Sequence, residues 1–157
     1  MHFPIIELCS EKMSRDEIKH SSLDYDDAVL NYFTDYYGES YTVKERNEHI
    51  CSEWMKSLFK GIADVDTKNE CISFFDESTI NDTLDRYYRE TIDTLVNSSE
   101  KGWLRFYRLR ELGREFRGSS SLFVVDGCAM TSMQFFEDCY HYAGKKLYFG
   151  QFFDAHC

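Results

Sequence analysis

The apolar positions of this chain mostly recur at helical spacing. The clearest run is 79–97, where Ile80, Leu84, Tyr87, Tyr88, Thr91 and Leu95 fall at i, i+4, i+7, i+8 intervals and Ile92 and Val96 widen the stripe. Asp82, Asp85, Arg86, Arg89 and Asp93 take the other side. The pattern predicts an amphipathic helix opened by a Thr79/Asp82 capping box and closed by Asn97-Ser98-Ser99. In the following segment Trp103, Phe106, Tyr107 and Arg110 keep helical spacing, and Leu109, Leu112 and Phe116 continue a stripe. Alternation is visible there too, so a strand also fits; the helical reading ends it at Gly113 or Gly118.

Other elements follow from caps and runs. Phe3 to Cys9 reads as a short strand or extended lead-in, with Pro4 pointing to an edge or first position. Ser14 with Glu17 opens a short helix ending by Ser21. Leu23 to Gly38 reads as a helix, with Asp24, Asp26 and Asp27 at its positive end and Val29, Tyr32, Phe33, Tyr36 and Tyr37 on its apolar face. Thr42 with Glu45 opens a long buried helix carrying Ile50, Trp54, Leu58 and Ile62 and reaching about Ala63. Residues 64–69 form a polar loop, and Cys71 to Phe75 is a strand or a turn or two of helix. Leu122 to Val125 has strand character and stops at the Asp126-Gly127 turn. Thr131 opens a last helix with Met133, Phe136, Cys139 and Tyr140 inward. Leu147 to Phe153 is strand-like and could pair with 122–125. The expected fold is mainly α: one globular domain over 1–157, a helical bundle of about five to six helices, with a small C-terminal β-hairpin or strand pair.

Composition supports that reading. Pro4 is the single proline and glycines are few, which argues against a turn-rich sandwich. Aromatic residues make up 17% of the chain, enough to build a sizeable core. The net charge is −10 and uneven. Residues 1–100 hold 22 acids and 10 bases; residues 101–157 hold 6 acids and 8 bases. An acidic surface repels phosphate and anionic lipid and attracts cationic partners. Lys101, Arg105, Arg108, Arg110, Arg114 and Arg117 make one basic, aromatic stretch. It either binds nucleic acid or neutralises the chain's own carboxylates, and the charge of the whole favours neutralisation. The six cysteines are scattered, no signal peptide is expected from His2-Phe3-Pro4, and no stretch is long and apolar enough to span a membrane, so a reduced, cytoplasmic setting is expected.

Candidate chemistry is sparse. Cys139 with His141, Cys51 with His49, and His156 with Cys157 lack zinc-ligand spacing, so no metal and no cofactor is expected. Cys128, with His141 or His156 as base, is the one candidate nucleophile. No phosphate loop, GxSxG or dinucleotide fingerprint occurs. The reading that follows is a non-enzymatic, protein-binding inhibitor.

In overall character, and through no specific motif, the chain resembles small acidic bacterial toxin-immunity proteins. The resemblance implies an antitoxin that binds one toxin domain, often a nuclease, and blocks it. It assigns no residue. Acidic positions flanked by aromatics are the expected basic-partner surface: Asp35, Asp82, Asp85, Glu90 and Asp93, with Tyr36, Tyr37 and Tyr87 as anchors. Direct nucleic-acid and membrane binding are not expected, and the oligomeric state is open. Two alternatives stand beside this one: an acidic nucleic-acid mimic or regulator, and an enzyme with an unrecognised Cys/His site.

Overall fold

A computed structural model describes residues 2–23 and 27–156, with the side chains of 33 and 36–38 outside that set. Its elements, in order, are β1 (His2–Cys9), α1 (Arg15–His20), α2 (Ala28–Phe33), β2 (Tyr36–Ser40), α3 (Val43–Cys51), α4 (Glu53–Phe59), β3 (Ala63–Asp66), β4 (Cys71–Phe74), α5 (Glu77–Asn97), α6 (Trp103–Leu112), β5 (Leu122–Val125), β6 (Cys128–Thr131), α7 (Ser132–Asp138) and β7 (Lys146–His156). A 3₁₀ turn, Cys139–Tyr142, joins α7 to the last strand.

The architecture is not the expected helical bundle. Seven strands form one mixed sheet in the order β3-β4-β7-β1-β5-β6, with β2 pairing the far end of β7. Two segments carry the difference. Leu147 to Phe153 belongs to an eleven-residue strand, β7, that pairs β1 on one side and β4 and then β2 on the other. It does not pair 122–125; β5 instead runs parallel to β1, Ile5 facing Leu122. A strand buried on both faces reads as a continuous apolar run, which periodicity cannot tell from a helix. The Leu23–Gly38 helix is likewise reduced to the six residues of α2, capped by Asp27, and its end becomes β2. Of that expected face, Val29 is half-buried and Tyr32 exposed, and the buried residue is Leu30, which lay outside it; Asp24 and Asp26 lie outside the described residues.

Two further corrections are local. Ser52 splits the expected long helix into α3 and α4: its Oγ accepts from the Met55 N–H and donates to the His49 carbonyl. Ala63 falls in β3. Pro4 sits in an interior strand, but it precedes the first β1–β5 pair at Ile5, so its missing N–H costs that ladder nothing.

The larger core covers one face of the sheet. Ile6, Leu8, Phe123, Phe149 and Phe152 meet Met55, Leu58 and Phe59 of α4, Ile80 of α5 and Phe135 and Phe136 of α7. On the other face Phe3, Ile5, Leu122, Val124, Phe153 and Ala155 lie under Leu23 and Leu30. The β1–β7 register shifts between Ile6 and Leu8, giving β7 one extra residue. At this bulge Gly150 leaves room for the Glu7 side chain, because a Cβ there would strike its carboxylate. Glu7 in turn accepts from the Gln151 N–H (2.8 Å) and from Ser21 Oγ.

Candidate partner-binding surface

α5 leaves the body of the protein after two turns. Asp76 caps it, accepting from the Thr79 N–H and hydroxyl; the cap therefore lies three residues before the expected Thr79. Ile80 is buried, and Thr83 Oγ1 donates to the Gly61 carbonyl at 2.8 Å. Tyr87 closes the root. Its ring packs 4.5 Å from Phe116, and its hydroxyl accepts from the Arg117 N–H at 3.0 Å. Beyond Tyr87 no residue of α5 is buried, and Tyr88 and Val96, expected on the core stripe, are exposed.

The chain turns at Gly102, which has φ +60, and returns as α6, capped at Gly113 as the helical reading expected. No residue of α6 is buried. Trp103 is 73% exposed and Phe106 76%, with Leu104, Tyr107 and Leu109 exposed beside them. Trp103, Phe106, Tyr107 and Leu109 keep the helical spacing read from the sequence, but that spacing marks no buried face. Six apolar residues in ten, spread round the helix, were the sign that one core face could not take them all.

The arginines of this stretch are occupied within the chain. Arg108 Nε lies 3.3 Å from Glu100, and Arg110 Nε 3.3 Å from Glu111. Arg110 also stacks 4.9 Å over the Tyr107 ring. Arg114 lies 3.7 Å from Glu111, and Arg105 reaches the Ser98 carbonyl. Arg117 Nη1 donates to the carbonyls of Ser57, Leu58 and Lys60 at the C-terminal end of α4, where a cation meets the negative end of the helix dipole.

Between α5 and α6 lies a cleft of about 600 Å³. Tyr87, Leu95 and Leu112 supply apolar lining, and Glu90, Glu100, Glu111 and Glu115 bring carboxylates to it. Burial, reinforced by the Glu111 charge, raises the Glu115 carboxyl above its ordinary range. Ser98, also lining the cleft, carries the one buried side-chain oxygen without a hydrogen-bond partner among the described residues.

The expected site residues fall on two elements. Asp82, Asp85, Glu90 and Asp93 are exposed and line one groove along the outer face of α5, with Arg86 and Arg89 between them. Tyr87 is half-buried and holds the root of the arm. Asp35 is exposed just before β2, its carboxylate 3.7 Å from His156 Nδ1. Tyr36 and Tyr37 pair with the end of β7, and their side chains lie outside the described residues.

Of the candidate chemistry, Cys128 is exposed on the β5–β6 hairpin. Burial pushes the Cys139 thiol up to about 12 and the Cys9 thiol up to about 11, away from the thiolate that nucleophilic chemistry needs. Cys157 lies outside the described residues. Among the described residues no three His, Cys, Asp or Glu side chains converge as metal ligands, and no helix is long and apolar enough to cross a membrane. No protein-family model, curated protein or solved structure matches the chain.

Proposed function

We propose that the chain is a protein-binding inhibitor that seats a basic partner, of the toxin-domain kind, against the α5–α6 arm. The observation that carries this reading is that α6 buries none of its residues yet holds Trp103, Leu104, Phe106, Tyr107 and Leu109 in water. A ten-residue helix without a packed face is marginal on its own. Aromatic side chains presented in this way are the usual anchors of an interface core. Charge supplies the partner's sign. Residues 77–112 hold seven acids and six bases, and the rest of the chain holds 21 acids and 12 bases. The unbalanced charge is therefore negative, and it draws a cationic partner to the molecule, where the apolar face of the arm can hold it. The same arrangement serves phosphate mimicry less well, because Arg86 and Arg89 interrupt the acids of α5.

The test compares the wild type with W103S/F106S in affinity capture from the source cell at low and moderate salt. One stoichiometric partner is expected to stay on the wild type at moderate salt and to bind the variant at least tenfold more weakly, since each buried aromatic is worth about 1.5–3 kcal/mol. Both substitutions lie at the surface, so the two proteins should melt within a degree or two of each other. The wild type should also abolish the captured partner's activity at equimolar ratio. A partner held equally by the variant removes the arm from the account, and a partner whose activity is unaffected removes the inhibitor reading.

A further inference from the structure

We propose that the cleft between α5 and α6 is a socket for a cationic side chain on an aliphatic stem, an arginine or lysine presented by the basic partner; this rests on the binding role proposed for the arm. The cleft has the size of a ligand site, about 600 Å³ against the roughly 300–1,000 Å³ typical of such sites. Its lining matches both halves of such a side chain. Tyr87, Leu95 and Leu112 offer apolar surface to a stem, and Glu90 and Glu115 offer carboxylates that no ion pair engages among the described residues, while Arg108 lines the same cleft. Glu100 and Glu111 are already bridged by Arg108, Arg110 and Arg114.

The carboxylates do not converge as a three-ligand metal set. That spread suits an extended cation with several N–H donors, and a guanidinium can reach two carboxylates and lie on the Tyr87 ring as well. The carboxylates of the cleft outnumber its one lining cation, Arg108. Glu115 is half-buried beside Glu111, and burial and that neighbouring charge raise its carboxyl despite the opposing pull of Arg114 and Arg108. A guest cation adds to the pull of those arginines, and Ser98 Oγ offers a further acceptor that no described residue uses.

The probe is a short peptide of alternating Leu and Arg, titrated into isotope-labelled protein and followed by NMR, with its Lys counterpart and spermine in parallel. Peptide-induced shifts are expected at Tyr87, Leu95 and Leu112. In E90Q/E115Q the affinity should fall at least tenfold. In W103S/F106S it should change less than twofold, which separates the socket from the outward face of α6. Both glutamine variants keep the side-chain shape, and a melting curve checks that they fold. The proposal is overturned if the peptide binds E90Q/E115Q as well as the wild type, if it does not bind at millimolar concentration, or if spermine binds more tightly than either peptide, which would assign the cleft to a free polyamine. Loss of partner capture by W103S/F106S together with peptide binding unchanged by E90Q/E115Q would leave the arm in place and remove the socket alone.

Discussion

Arg46 is buried, only 3% exposed, yet every part of its guanidinium is engaged. Nε donates to the Gly150 carbonyl and Nη2 to the Phe149 carbonyl, both at 2.6 Å, and Nη2 also meets Glu70 at 3.1 Å. One side chain thus ties α3 to the bulge of β7 and to the turn between β3 and β4. Arg46→Ala leaves two carbonyls and a carboxylate without their donor. The expected loss is about 3 kcal/mol, at the low end for a broken buried pair because Glu70 keeps some access to water; urea unfolding midpoints measure it. Glu70→Gln should cost less, since Arg46 keeps both carbonyls. Glu115 behaves oppositely. Its carboxyl is raised above the ordinary 4.5, so ionising it costs more in the folded chain than in the unfolded one. Below pH 4.5 it is protonated in both states and the penalty is absent; the penalty grows as pH rises through the folded value and is constant above it. Glu115→Gln should therefore raise the melting temperature at pH 7, and the gain should vanish by about pH 4.

At the scale of elements, what was legible in the chain was what neighbouring residues settle among themselves. The capping boxes at Ser14 and Thr42 open α1 and α3 as read, Thr131 opens α7, and Asp126-Gly127 turns the β5–β6 hairpin. Each cap is a bond between a side chain and the backbone three residues away, and the turn is set by the positive φ of Asp126 and Gly127. Ser52 shows where such reading stops. The stripe Ile50, Leu58, Ile62 does end in one core, so its periodicity held as burial even though the helix is broken at Ser52. What was not legible was set by partners distant in sequence. Tyr36 and Tyr37 become strand because the edge of β7 is free to pair them, and no local preference announces that. The arm followed the same division. Its helices and the Gly113 stop were readable, and the acids along α5 do line one groove. The exposure of the α6 side chains that carry the proposed interface was not legible, because an apolar stripe does not say whether its cover belongs to the same molecule.

For the whole molecule, the division of labour is between a charged body and a nearly neutral arm. The excess of acids outside residues 77–112 sets a field that reaches beyond contact distance, while the arm itself is close to neutral. The sheet that supports the arm has its own consequence in time. β7 lies at the centre of the sheet, gives phenylalanines to both cores and supplies the carbonyls that hold Arg46, yet it is the last of the seven strands of this sheet that a ribosome makes. Until residues 146–156 have cleared the exit tunnel, β1 lacks a neighbour on one side and β4 has only β3. The nascent chain then carries open strand edges that invite wrong pairing. The long sequence separation between β1 and β7 adds a slow search once the strand arrives. Stalled chains ending at 145 should be cut by protease as readily as unfolded protein, and chains stalled far enough beyond 156 should resist it; resistance in the shorter chains would mean that the remaining strands hold a fold without their centre.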